Sequence, residues 1–244
     1  MKLASLLSSG WDSYWRSRKH GAEDPVAERS FGERAAYIWG HISRRVGARF
    51  NLLELGCGEA LVVRHLLTSA PQGTATLVDW SDEALDRARH TLRKFSHRTV
   101  FIKGDANSPL AFQAINPNVV LSLGVIEHHP RPDRVLLELS QILSPNAVLV
   151  IMTPNRRSFA RLSRYVLQSL GRWNLGHQDE LSPAILTEFC QSAGLNVFHS
   201  EARVRPYFRQ DPFVRKTCAA LDRIAVTCGA TNWGWYTWVF CQKM

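Results

Sequence analysis

The stretch Leu52-Leu53-Glu54-Leu55-Gly56-Cys57-Gly58-Glu59-Ala60 decides the fold. An apolar run of strand length, Phe50 to Leu55, meets two glycines, and Ala60-Leu61-Val62-Val63-Arg64-His65-Leu66-Leu67 follows with helical spacing. Glycine in such a strand-to-helix turn permits positive φ and lets a ligand approach the backbone closely. The pattern then repeats. Past Pro71-Gln72-Gly73, Thr74 to Asp79 reads as a second strand, and Ser81 as the N-cap of a helix with Asp82 and Glu83 in its first turn. Val100-Phe101-Ile102, Val119 to Leu123 and Ala147 to Met152 read as strands three to five, with a helix from Pro132 to Leu143. Strands alternating with helices specify βαβ units with right-handed crossovers, hence an α/β fold on a parallel sheet.

Beyond Pro154 the rhythm changes. Residues 156–172 carry five arginines and no acid, with Phe159, Leu162, Val166 and Leu170 at helical spacing, which predicts a basic amphipathic helix. Ser182-Pro183 opens another helix that Gly194 closes. Asn196-Val197-Phe198 begins a sixth strand, and Trp235 to Phe240 forms the last. Between them lies a second basic segment with Arg203, Arg205, Arg209, Arg215 and Lys216.

Composition bounds the rest. With 244 residues, 45% hydrophobic and 21% charged, the chain is an ordinary globular mixture, neither disordered nor fibrous. Of its 30 cationic residues 24 are Arg, and the net charge of +9 favours nucleic acid, phosphorylated metabolites or an acidic membrane surface as partners. No apolar run approaches the ~20 residues that span a bilayer. The start, Met1 to Leu7, breaks at Ser8-Ser9-Gly10 and is too short for a secretory signal. Five scattered cysteines without Cys-x-x-Cys spacing suggest neither disulfides nor a zinc ribbon, so a reduced, cytoplasmic location is expected.

Taken alone, Gly-x-Gly is equally an ordinary βα turn. Asp79, however, ends the second strand 21 residues after Gly58, where an acid accepts both ribose hydroxyl hydrogens. A dinucleotide loop would carry a third glycine where this chain has Leu61. Glu59 stands where a pyrophosphate would dock, and Glu54 adds a carboxylate beneath the loop. Two acids suit a nucleoside bearing an amine and a sulfonium and no phosphate, namely S-adenosyl-L-methionine.

Here the chain resembles the class I S-adenosylmethionine-dependent methyltransferases of small-molecule type, such as the ubiquinone-biosynthesis-like enzymes. Glu54-Leu55-Gly56-Cys57-Gly58 matches the first motif, Asp79 the ribose acid, and Lys103-Gly104-Asp105-Ala106-Asn107 the segment after strand three. Ser122-Leu123-Gly124-Val125-Ile126-Glu127-His128-His129-Pro130 matches the motif after strand four, and Ser140 to Ala147 the unit leading to strand five. The resemblance covers residues 50–155. It implies a Rossmann-like, doubly wound, seven-stranded sheet with the last strand antiparallel, N-terminal helices and a helical substrate-covering insertion. One methyltransferase domain over 1–244 is expected, with a helical cap (1–49), a cofactor core (50–155), substrate-covering and basic segments (156–232) and the last strand (233–244). The resemblance assigns the cofactor to Glu54, Gly56, Gly58, Asp79 and Asp105. The backbone N–H of Ala106 reads the adenine edge, Trp80 packs on the adenine, Leu123 lines the methionine part, and an N-terminal helix with Trp11, Tyr14 and Trp15 covers it.

Methyl transfer to an oxygen needs a base, and His128, after strand four, and His177, in the expected substrate pocket, are the candidates, with His129 behind them. Some relatives carry Glu-x-x-Glu-His on a divalent ion; Gly124-Val125-Ile126-Glu127-His128 lacks the first acid, so no metal is expected. The expected acceptor is a small molecule, anionic or lipid-linked, with peripheral membrane contact as a further expectation. An RNA methyltransferase using the Arg-rich surface and a non-catalytic cofactor-binding scaffold are the alternatives, and nucleic acid is the less favoured partner because no RNA module is recognisable.

Overall fold

Every second residue of the central strand faces a different apolar layer, and this places it in the middle of the molecule. A computed structural model describes residues 11–17, 24–173, 175–204 and 213–244. In β1 (Asn51–Leu55), Leu52 joins one buried cluster while Leu53 and Leu55 join the other. The same alternation runs through β4 (Val119–Leu123), β5 (Val148–Pro154) and β7 (Tyr236–Lys243), where Val120, Leu149 and Val239 face one layer and Leu121, Val150 and Phe240 the other. A strand apolar on both faces needs helices on both.

β2 (Thr74–Asp79) and β4 pair parallel on either side of β1, β3 (Thr99–Lys103) lies outside β2, and β5 lies outside β4. β7 runs antiparallel to β5 and is wedged between it and the edge strand β6 (Leu195–Arg203), giving the order β3-β2-β1-β4-β5-β7-β6. The seven-stranded sheet with an antiparallel last strand is as the resemblance implies. α2 (Pro25–Val46), α3 (Leu61–Ser69) and α4 (Asp82–Thr91) bury Ile38, Ile42, Leu66 and Leu85 on one face. α5 (Pro132–Ile142) and α7 (Pro183–Ser192) bury Leu136, Leu139 and Leu186 on the other. A short helix, α1 (11–16), precedes them, and α6 (Ala160–Ser169) packs with α8 (Phe213–Thr227) beyond β5.

The expected caps form: Ser81 Oγ accepts from Ala84 N at 3.2 Å, and Ser182 caps α7. The basic helix is shorter than 156–172. Asn155 is fully buried and donates to the carbonyls of Arg157, Asn232 and Gly234, which holds Arg156 and Arg157 in a turn. The helix then starts beyond Ser158, whose Oγ donates to buried Asp222 at 2.6 Å. β6 is longer than its sequence signal, with an irregularity between Val197 and His199. Met1 to Leu7, Arg205 and Arg209 lie outside the described residues. Among the described residues no helix is long and apolar enough to cross a membrane.

Candidate active site

The site is built where β1 and β4 part, at the carboxyl edge of the sheet, the place at which open α/β folds bind ligands. The N–H groups of Gly56 and Cys57 both donate to Val78 O, at 2.8 and 2.9 Å, turning the chain sharply off β1. Gly56 has φ +69°, and a Cβ there would fall 2.5 Å from Val125 Cγ2. Gly58 has φ +51°, and a Cβ there would meet the Trp15 ring at 2.7 Å. Both positions therefore require glycine on conformational and steric grounds. Ala60 follows at φ +53°, a left-handed conformation in a residue that carries a side chain.

Asp79 ties the two loops together. One carboxylate oxygen accepts from Gly58 N and the other from Ser81 N, both at 2.9 Å. Burial pushes its carboxyl above the usual range, although these N–H groups pull it back. Glu54 lies beneath the loop, 4% exposed, its carboxyl pushed well up by burial and by the Asp79 charge. Its Oε2 is buried without a hydrogen-bond partner, as are Ser122 Oγ, Glu127 Oε2 and Thr153 Oγ1 near the tips of β4 and β5. Unpaired buried polar atoms cost about 1–3 kcal/mol each. A cationic ligand end fits the Glu54 oxygen, and a phosphate does not.

Glu59 corrects the sequence argument. Its carboxylate lies 2.9 Å from Arg87 Nη1, with both side chains under a tenth exposed, and Arg87 also reaches Glu83 at 3.0 Å. The Glu59 charge is thus compensated in an ion pair linking the loop to α4, and the bias against phosphate rests on Glu54 and Asp79. Asp105 Oδ1 accepts from Asn107 N at 2.9 Å, an Asx turn that shapes the loop after β3. Trp80, Ala106 and Leu123 are half-buried at the same edge.

His128 and His177 come together, but not as two rings. His128 Nδ1 lies 2.7 Å from the backbone oxygen of His177. A carbonyl only accepts, so Nδ1 carries the proton and Nε2 keeps its lone pair. Burial lowers the His128 pKa below its usual value. The His177 ring instead turns to Asp179, 3.2 Å away and half-exposed. Next to them Glu127, 2% exposed, has its carboxyl raised to about 8, chiefly by burial and further by Glu180.

α1 lies over this edge. Trp11 meets the His128 ring edge-on at 5.2 Å, Tyr14 bridges Trp11 and Trp15, and Trp15 rests on Gly58. Ser81 Oγ also donates to Asp12, a contact the sequence reading missed because nothing in the local pattern links residues 12 and 81. The pairing of Arg164 with Glu180, at 2.5 and 2.9 Å, was missed for the same reason; it fastens α6 beside the Glu127 loop.

A family model described as a methyltransferase domain matches residues 14–200. The ubiquinone biosynthesis O-methyltransferase of Xylella fastidiosa strain M23 is 29% identical over 207 residues, covering 80% of this chain and 77% of that protein. Its counterpart from Aromatoleum aromaticum is 26% identical over 160 residues, covering 63% and 68%. The fold is shared with 1,6-didemethyltoxoflavin-N1-methyltransferase of Burkholderia thailandensis, crystallised with S-adenosylhomocysteine (TM-score 0.67, 16% identity, 100% of this chain and 89% of that one). It is also shared with a putative methyltransferase of Haloferax volcanii in complex with the Trm112 activator (TM-score 0.65, 16% identity, 97% and 96%). With the parallel core, the glycine turn and the acid at the end of β2 already in place, the chain belongs to the class I S-adenosylmethionine-dependent methyltransferases.

Proposed function

We propose that the chain methylates an oxygen of a small-molecule acceptor, with His128 taking the acceptor's proton. The bound cofactor supplies an activated methyl group and a neutral thioether leaving group. Glu54 would receive the ammonium on its unpaired Oε2, and Asp79 the ribose hydroxyls on the lone pairs not used by Gly58 and Ser81. Asp105 and the Ala106 N–H would hold the adenine edge, with Trp80 against its face and Leu123 along the methionine part. Tyr14 and Trp15, on α1, would close the cleft to water.

The observation that carries the reading is His128. Its Nδ1–H is fixed on the His177 carbonyl, and desolvation keeps the ring neutral near pH 7. Nε2 is then a free base at the strand-four tip. During methyl transfer Nε2 would accept the proton that the acceptor hydroxyl gives up. His177 positions this ring through its backbone. A base of this kind contributes ~10²–10⁴-fold. With a panel of phenolic acceptors and labelled cofactor, His128→Gln should lower kcat by that order and remove a base limb from the pH–rate profile, with cofactor affinity unchanged. An unaltered kcat would reject the assignment.

The surface favours a lipid-linked acceptor met at a membrane. α6 exposes Leu162 and Tyr165, with Leu170 just past its end, and α8 exposes Phe213, Leu221 and Ile224, Phe213 being 82% exposed. Exposed Arg156, Arg157 and Arg172 adjoin them. Apolar side chains beside arginines match an anionic lipid surface. Sedimentation with phosphatidylglycerol vesicles, but not with phosphatidylcholine, is the expected result. Three of the 24 arginines are engaged inside the fold and are withdrawn from any RNA-binding face: Arg87 by Glu59 and Glu83, Arg164 by Glu180, and Arg98 by four backbone carbonyl contacts. A cytoplasmic site of action is part of the same proposal.

A further inference from the structure

We propose that the chain carries a second ligand site, between α2 and β6, that takes the phosphoryl group of a phosphorylated small molecule. A cavity of about 300 Å³ opens there, lined by Gly40, His41, Arg44, Arg45, Phe198 and His199. It is remote from the cofactor cleft. His199 pairs with Phe240, which pairs with Val150, four residues before Pro154 at the tip of β5. At ~3.3 Å per residue the cavity lies about 13 Å down the sheet from the carboxyl edge.

The lining holds four nitrogen-bearing side chains and no acid. Arg45 stacks on the Phe198 ring at 3.7 Å, which fixes the plane of its guanidinium, and Phe198 in turn packs on Phe240. Among the described residues its hydrogen bonding is limited to a 3.4 Å contact from Nη1 to His41 O. Among the described residues neither Arg44 nor Arg45 has a carboxylate partner. The two imidazoles lie 4.3 Å apart, so a single ligand can meet both. Each is oriented by one nitrogen: His41 Nδ1 donates to Tyr37 O at 2.9 Å, and His199 Nε2 lies 3.1 Å from Tyr37 Oη.

One acid reaches the lining, Glu201, whose Oε1 lies 3.6 Å from His199 Nε2, and it is already occupied. Glu201 accepts from the Tyr37 hydroxyl at 2.5 Å and from Arg203 Nη1 at 3.0 Å, so its charge is compensated before any ligand arrives. Since the Tyr37 proton goes to Glu201, the Tyr37 oxygen accepts from His199 Nε2–H, and the other ring nitrogen is left for the ligand, to which it donates when the ring is in its cationic form. Two guanidinium groups with no acid between them suit a ligand of charge near −2, and a tetrahedral phosphoryl dianion offers three acceptor oxygens over which both can bond. The space is larger than a phosphate ion alone, and the Phe198 ring offers an apolar wall for the organic part. A soluble phosphomonoester and a phosphomonoester lipid headgroup share this chemistry.

The test titrates the full chain with inorganic phosphate and with glycerol 3-phosphate at fixed ionic strength, following the imidazole resonances. Saturable shifts of two of the nine histidines, identified with His41→Gln and His199→Gln, are expected. In Arg44→Gln/Arg45→Gln both ligands should bind at least about tenfold more weakly, while calorimetry shows cofactor affinity unchanged. These arginines are exposed, so the fold tolerates the change. Phosphatidylcholine vesicles containing phosphatidic acid separate the sources: capture that depends on Arg44 and Arg45 assigns a lipid headgroup, and binding of the soluble ester alone assigns a metabolite. Shifts that do not saturate, that chloride reproduces at matched ionic strength, or that persist unchanged in the double variant would overturn the proposal.

Discussion

Replacing Glu127 by Gln exchanges a buried titratable carboxyl for a neutral side chain of the same shape. In the native state its pKa is raised from 4.5 to about 8, because the side chain is 2% exposed and Glu180 adds like charge. Between those values the folded protein retains a proton that the unfolded chain has released, so stability declines with rising pH. The contribution is fully present below 4.5 and is lost as the pH climbs through 8. At 1.36 kcal/mol per pH unit, the wild type at pH 7.5 has given up about 4 kcal/mol. The Gln variant has nothing to lose at this position. The stability difference between E127Q and wild type should therefore widen in favour of the variant by about 2.5 kcal/mol between pH 5.5 and 7.5. Urea unfolding at the two pH values measures it, and Glu54 and Asp79, also raised, cancel because both proteins contain them. Parallel stability profiles would refute the claim that burial holds a proton on Glu127.

Asp79→Ala should weaken cofactor binding by roughly 1–3 kcal/mol, the scale for losing hydrogen bonds to a charged group; equal affinity by calorimetry would remove the ribose assignment. Ala60→Gly relieves a left-handed residue, worth ~1–2 kcal/mol, against ~0.8 kcal/mol for the buried methyl, so the urea midpoint should rise slightly. Asp222→Ala strips partners from Ser158 Oγ, Phe159 N and Trp233 Nε1 and should cost about 3 kcal/mol, with α6 losing its protection from hydrogen exchange first.

The cofactor core was legible because its signals are local. Leu52 to Leu55 reads as a strand from its own apolar run, and Gly56 and Gly58 stand where positive φ is needed. Asp79 is separated from them by one helix and one strand of ordinary length, so counting residues locates it. That β1 to β5 run parallel follows from the alternation itself. The outer parts were less legible. Residues 156–172 look like one helix until Asn155 is seen bonding to Asn232 and Gly234, about eighty residues away.

Sequence alone determined the α/β class, the glycine turn and the acids around it, since these depend on neighbours within a strand, a turn or one βα unit. Only the tertiary structure decided what the charges do. Glu59 reads as a free anion until Arg87 reaches it across 28 residues, and His128 has no defined tautomer until a carbonyl 49 residues away fixes it. Electrostatics and hydrogen bonding act through space, and residues distant along the chain leave no periodic trace of where folding will bring them.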